Sequence, residues 1–305
     1  MADLPKRRLG KTGADVTILG FGAMELRGGP RGPEISEKQA ETILNAVLDS
    51  GINFIDTSID YGRSEELIGK FIAHRRNEYF LASKCGCVVG GAQGEHVHTA
   101  ENIRHGVENS LRLLKTDHLD LVQFHRSLTM AEYQAEGALQ EALKLRDEGK
   151  VRFVGVSGTL PHLVEQIDSG VFAAFQIPYS ALQRDHEAAI TKAAASNHGA
   201  IIRGGVARGA PSDWGRAYYM LTTDVMQNRW DGAKLDDLLD GMSRMEFMLR
   251  FTISHPGLTT TIVGTKNPDH LQQNIDAALK GALPAATLAE AKKRLDAAGA
   301  VSEAV

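Results

Sequence analysis

The feature that most restricts the fold of this chain is a rhythm. Short apolar runs alternate with longer helical patterns eight times. The runs at 17–23 (TILGFGA), 53–57 (NFIDT), 79–84 (YFLASK) and 119–125 (LDLVQFH) precede helical patterns over Ser36–Leu48, Ser64–Ala73, Ala100–Leu114 and Glu132–Glu148. Ser36 has the chemistry of an N-cap, and Gly149 stands where a helix would stop. The runs at 151–157 (VRFVGVS), 172–177 (FAAFQI), 200–204 (AIIRG) and 259–265 (TTTIVGT) precede patterns near Pro161–Asp168, His186–Ser196, Met242–Ser254 and Pro268–Leu279. Nearly continuous apolar strands separated by helices imply a parallel sheet covered by helices. Eight such units within 305 residues imply closure into an α/β fold of the TIM type, a (β/α)8 barrel, rather than an open sheet.

Two pieces lie outside the rhythm. Two short arms around KTGAD read as an N-terminal β-hairpin ahead of the barrel. TLAEAKKRLDAAGA near the end reads as an extra C-terminal helix. The stretch from Ala210 to Asp240 carries Trp214, Tyr218, Tyr219 and Trp230. It is either a lid whose aromatics wall a pocket or an insert that packs its own aromatics. No linker divides the chain, so residues 1–305 are expected to form one domain. A net charge of −4 gives no reason to expect nucleic acid or a membrane surface as partner. No run reaches the length of a membrane span, and the N-terminus lacks the apolar segment of a secretory signal. The two cysteines, Cys85 and Cys87, are spaced for neither a disulfide frame nor a zinc site. Reduced thiols in a cytoplasmic protein are the expectation.

In a barrel of this kind the C-terminal strand ends face the site. Polar residues finish six of the strands: Asp56, Lys84, His125, Ser157, Gln176 and Arg203. Tyr61 follows Asp56 by five positions. These residue types make a coherent acid. A phenol near pKa 10 is a poor donor at neutral pH, and a nearby ammonium favours the phenolate. A buried lysine needs a carboxylate to stay charged. Asp56 can hold Lys84, Lys84 can lower the pKa of Tyr61, and His125 can donate to a substrate oxygen.

With these residues in order, the sequence resembles the aldo-keto reductases from about Leu9 to Asn274. The resemblance rests on LGFGAM, NFIDTSIDYGRSEELIGK, ASKCG, LDLVQFHR, VRFVGVS, FQIPYS and TIVGTKNPDHLQQN. It implies a barrel that binds NADPH, with NADH as a weaker possibility, and reduces a small-molecule carbonyl. It implies Asp56, Tyr61, Lys84 and His125 as the catalytic set, with Tyr61 protonating the carbonyl oxygen. For the cofactor it implies Gly22, Ala23, Met24 and Asp56 beside the nicotinamide, and Ser157 and Gln176 at its carboxamide. Gly204, Gly205, Val206, Arg208 and Gly209 would wrap the pyrophosphate. Gly264, Thr265, Lys266, His270, Gln273 and Asn274 would hold the adenosine phosphate. Three positions depart from the family pattern. Gly158 replaces a common Asn. Arg203 replaces a common aromatic, and either stacks on the nicotinamide or pairs elsewhere. His270 replaces a common Arg, which leaves Lys266 as the cation for a 2′-phosphate.

Other signals carry less. GFGAME ends in Glu and fails as a dinucleotide fingerprint. GKT at 10–12 precedes the first strand. His96 and His98 in EHVH lack a partner set, so no metal is assigned. Cys85 reads as a packed thiol. His74, Arg75 and Arg76 read as a basic helix end. Two rival functions remain: a lyase using Lys84 as a Schiff-base nucleophile, and a non-catalytic, NADP(H)-sensing accessory module.

Overall fold

The computed structural model describes residues 3–30, 32–209 and 220–305. The chain opens with a hairpin, β1 (Lys6–Arg8) against β2 (Asp15–Thr17), antiparallel with Lys6 opposite Thr17. Eight parallel strands then close a barrel. They are β3 (Leu19–Gly22), β4 (Phe54–Asp56), β5 (Phe80–Cys85), β6 (Leu119–Phe124), β7 (Val151–Ser157), β8 (Ala174–Pro178), β9 (Gly199–Arg203) and β10 (Thr260–Val263). β10 pairs with β3 and β9, which completes the ring. The fold expectation, barrel and hairpin together, is met.

Helices cover the outside. They are α1 (Glu37–Asp49), α2 (Ser64–Phe71), α3 (Ala100–Leu114), α4 (Met130–Ala135), α5 (Ala138–Asp147), α6 (Leu163–Asp168) and α7 (Glu187–Ala195). After β9 come α8 (Met220–Gly232) and α9 (Arg244–Ile253), and after β10 come α10 (Pro268–Leu279) and the extra helix α11 (Ala285–Ala297). Ser36 caps α1 through a reciprocal pair with Gln39. The single helix expected over Glu132–Glu148 is instead two. Gly137 takes φ +74 between α4 and α5, and the Ala100 N–H donates to the Glu136 carbonyl at 3.0 Å. A left-handed glycine there turns the chain where an uninterrupted helix would run on.

Alternate residues of each strand face the barrel axis. Phe54, Phe80, Ala82, Leu121, Ala174 and Ile201 cluster inside with Leu9 and Val16 of the hairpin. Leu9 is completely buried, so the hairpin stoppers the N-terminal floor. Gly10, at φ +46, presses so closely that a Cβ would stand 2.3 Å from the Gly199 nitrogen. Two residues above these apolar positions, on the same inner face, the strands present Asp56, Lys84, Gln123, Gln176 and Arg203. The alternation that fills the floor with carbon therefore lines the mouth with polar groups.

Of the insert after β9, Trp214, Tyr218 and Tyr219 lie outside the described residues. Trp230 is completely buried. Its ring packs edge-on against Phe247 at 5.7 Å, and its Nε1 donates to Asp236 Oδ1 at 3.2 Å. The pocket-wall reading of Trp230 is thus corrected: it anchors α8 on α9. Arg75 and Arg76 stand in the last turn of the short helix Ala73–Glu78, and they also meet carboxylates, Arg75 with Asp49 and Glu78 and Arg76 with Asp120 at 2.7 Å. Among the described residues no helix is long and apolar enough to cross a membrane.

Candidate functional site

Three consecutive strands bring the polar core of the mouth together. Lys84 Nζ, fully buried, donates to both Asp56 oxygens at 2.7 Å and to the Thr57 carbonyl at 2.9 Å. Asp56 Oδ1 also accepts from Gln123 Nε2 at 2.9 Å and Gln176 Nε2 at 2.8 Å. The carboxylate thus meets three side-chain donors, Lys84, Gln123 and Gln176. Burial pulls Lys84 down, but Asp56 and then Tyr61 offset it, and the group ends above its ordinary value. The ammonium is therefore fixed as a charge.

Tyr61 sits in the loop after β4, with Lys84 Nζ 5.4 Å from its ring centroid. Burial pushes its phenol up, Lys84 pulls it down and Asp56 pushes it back up; the result is a raised pKa. The expected lowering is corrected, because desolvation of the phenolate outweighs the ammonium. Tyr61 keeps its proton through the neutral range. His125, one residue past β6, meets the Tyr61 ring edge-on at 5.9 Å. Burial, together with the charges of Lys84, His96 and Arg203, drives its pKa well below the usual value, so the imidazole is neutral. Its Nδ1 faces Cys87 Sγ at 3.0 Å and Ser58 Oγ at 3.4 Å, which leaves Nε2 for the mouth. A protonated phenol and a neutral imidazole beside a buried ion pair can deliver a proton to an oxygen and steady the charge left behind.

The positions suggested for a cofactor gather around the same rim. Gly22 ends β3 opposite Asp56. Ala23 and Met24 begin the turn Ala23–Leu26. Gly264 lies so close to Gly22 that a Cβ would stand 2.5 Å from the Gly22 carbonyl oxygen. Ser157 pairs with Gln176, with Oγ donating to Oε1 at 3.3 Å. Gln176 is thus largely engaged by Ser157 and Asp56. Gly158 leaves space that Gln166 occupies: a Cβ there would stand 3.0 Å from Gln166 Oε1, a buried oxygen without a hydrogen-bond partner among the described residues. Arg203 ends β9 half-buried, near enough for its charge to act on both Tyr61 and His125.

The loop after β9 fits an anion. Gly204 takes φ +71 with nothing within 4 Å of where a Cβ would stand, and Gly209 takes φ +78. Open glycine backbone of this kind admits a phosphate. The Thr252 hydroxyl donates to the Gly205 carbonyl at 2.7 Å and ties the loop to α9. Val206 precedes a short turn, Ala207–Gly209, which contains Arg208; the Arg208 side chain lies outside the described residues. Asn267 caps α10 by accepting from the Asp269 N–H at 2.9 Å. His270, Gln273 and Asn274 share one face of that helix, and Thr265 and Lys266 precede it. Lys266 Nζ donates to the Glu34 carbonyl at 2.9 Å and lines a hollow with Ser36, Lys38 and Gln39.

Sequence reasoning missed Gln123, Gln166, Cys87 and Lys38. For Gln123 the signal was present: it stands two before His125 on the same strand face. Gln166 and Lys38 come from distant segments, and Cys87 lies just past the end of β5, where no spacing marked it. The statement that His96 lacks a partner set is corrected as well, because the fold places it against His125 and Cys87.

The family model described as aldo/keto reductase matches residues 18–295. The chain is 27% identical over 288 residues to the uncharacterized oxidoreductase YqkF of Bacillus subtilis, covering 90% of each. It is 36% identical over 167 residues to L-galactose dehydrogenase of Arabidopsis thaliana, covering 52% of this chain and 50% of that one. The holo form of aldo-keto reductase AKR11C1 from Bacillus halodurans superposes with a TM-score of 0.80 at 26% identity, covering 98% of both chains. Barrel, rim and sequence agree: the chain belongs to the aldo/keto reductase family of NAD(P)H-dependent oxidoreductases.

Proposed function

We propose that this oxidoreductase reduces aldehydes or ketones to alcohols with NADPH, and that Tyr61 is the general acid. The observation that carries the reading is Lys84 buried on Asp56 against the Tyr61 ring. When bound, a reduced nicotinamide would supply the hydride that the carbonyl carbon receives. As charge develops on the carbonyl oxygen, the Tyr61 O–H bond breaks and its proton passes to that oxygen. Lys84, kept charged by Asp56, stabilises the phenolate that remains. His125 Nε2–H donates to the same oxygen and orients it. A Schiff-base role would need a neutral lysine, and Asp56 favours the opposite state.

Gly22, Ala23 and Met24 would border the nicotinamide. Ser157 and Gln176 would hold its carboxamide, and Gln166 would supply the amide that Gly158 lacks. Arg203 would stack on the ring. Gly204, Gly205, Val206, Arg208 and Gly209 would take the pyrophosphate. Gly264, Thr265, His270, Gln273 and Asn274 would take the adenosine, with Lys266 on the 2′-phosphate. The enzyme would work in the cytoplasm.

The test pairs NADPH titration by fluorescence with turnover on a broad aldehyde panel. Wild type binds and turns over; Tyr61→Phe binds equally and loses about 10²–10⁴-fold in kcat. Binding without turnover in wild type would identify a sensor instead. Borohydride trapping of a substrate on Lys84 would identify a lyase.

A further inference from the structure

The mouth holds a second set of groups that the reduction does not use as a set. We propose that Cys87, His96 and His125 form a binding site for a borderline-soft divalent cation, zinc(II) in the first instance, which switches the reductase off. One ligand atom from each of the three residues lies within 4.8 Å of the other two. The backbone sets this up. Cys87 and His96 face each other across an antiparallel bridge. The Val88 N–H donates to Glu95 at 3.1 Å and the Val97 N–H to Gly86 at 2.8 Å, which closes the segment into a small hairpin. The His125 N–H donates to the Cys85 carbonyl at 3.0 Å, so the third residue is held to the root of that hairpin.

His96 is prepared for a metal. Its Nδ1 lies 2.7 Å from the Gly94 carbonyl oxygen, an arrangement that puts the proton on Nδ1. A ligating histidine is oriented in the same way. The lone pair is then on Nε2, which is shielded from solvent and has no hydrogen-bond partner among the described residues. A buried nitrogen acceptor left unpaired carries a cost, and a cation would satisfy it. One thiolate and two imidazoles match zinc or cobalt rather than magnesium or calcium. Three protein ligands leave a fourth position open to the mouth for water. On binding, the Cys87 S–H bond breaks, an S–metal bond forms, and the proton leaves to solvent.

The consequence for turnover follows from distance and rests on the reductase reading. Cys87 Sγ and His125 Nδ1 are now 3.0 Å apart. A tetrahedral metal between them requires about 3.5 Å, from bond lengths of roughly 2.3 and 2.1 Å. The His125 ring must therefore shift by about half an ångström, and that shift falls on the imidazole whose Nε2 would steady the carbonyl oxygen. Small displacements at a reacting centre are expensive in rate.

The metal arm uses cobalt(II) added to the purified full chain, with no substrate present. Expected are one cobalt per chain, a thiolate-to-cobalt charge-transfer absorption, proton release, and displacement by zinc. His96→Gln and Cys87→Ser, each checked by melting temperature, should weaken zinc at least about tenfold in competition with a chromophoric chelator. Absence of the charge-transfer band in wild type, or unchanged zinc affinity in both variants, overturns the site. The activity arm measures turnover against zinc, normalised to each protein's metal-free rate. Wild type should lose activity and recover it with EDTA, and His96→Gln should need at least about tenfold more zinc. Full turnover with zinc bound overturns the switch but leaves the reductase reading intact. A chain that never turns over fails the reductase reading, and cobalt spectroscopy still decides the site.

Discussion

Lys84 and Asp56 meet through both carboxylate oxygens, each 2.7 Å from Nζ, with neither side chain open to solvent. Neither charge has water to fall back on. Asp56→Asn should therefore cost about 3–5 kcal/mol of stability, because it leaves an uncompensated ammonium in the interior. It should also lower kcat, since Lys84 then tends to lose its proton. Urea unfolding at neutral pH beside an aldehyde assay measures both. A stability loss under about 1 kcal/mol would mean that water reaches the pair.

Glu65, on the first turn of α2, is buried and accepts from Ser83 Oγ at 2.6 Å and Ser110 Oγ at 3.1 Å. Burial raises its pKa from 4.5 to about 7, although both serines pull it down. The sign follows from proton binding. The folded state holds this proton more tightly than the unfolded one, so folding takes up a proton between about pH 4.5 and 7. Stability is complete below that window and declines as pH rises through it, by roughly 3 kcal/mol in all. Glu65→Gln should flatten the decline. Denaturant midpoints from pH 4.5 to 8 for both proteins provide the check, and parallel curves would refute the assignment.

On the proposed reading, Lys266 would separate the two nicotinamide cofactors by holding a 2′-phosphate. Replacing it with Ala should raise the KM for NADPH by about ten- to a hundredfold, the size of a hydrogen bond to a charged group. The KM for NADH should move little. Equal changes for both cofactors would remove Lys266 from the 2′-phosphate.

Gly264 has no room for a methyl group, since a Cβ would stand 2.5 Å from the Gly22 carbonyl oxygen. The listener to that clash is backbone, which cannot swing aside. Gly264→Ala should force the ends of β3 and β10 apart, cost about 1–3 kcal/mol, and weaken NADPH in the fluorescence titration. Calorimetry and the titration should shift together.

Much of this could be read before any coordinates. Asp56, Lys84 and His125 were visible because a polar residue closing an apolar strand is conspicuous, and three in succession define one rim. Gly137 was not visible as a break, since one glycine inside a helical pattern is only a mild penalty. Trp230 stayed open between two readings because an aromatic in a long insert looks the same whether it faces a ligand or a neighbouring helix. The direction of the Tyr61 shift needed the depth of its burial. Cys87 and His96 carry no motif spacing; the hairpin that unites them with His125 exists only after folding.

The hairpin beneath the barrel has a consequence for traffic. With Leu9 seated under β9 and Gly10 pressed on the Gly199 nitrogen, the barrel is a cup rather than a tube. The proposed carbonyl compound, nicotinamide and metal ion would then share one doorway. Whichever entered last would stand in the way of whichever entered first, so the order of arrival would set the order of departure.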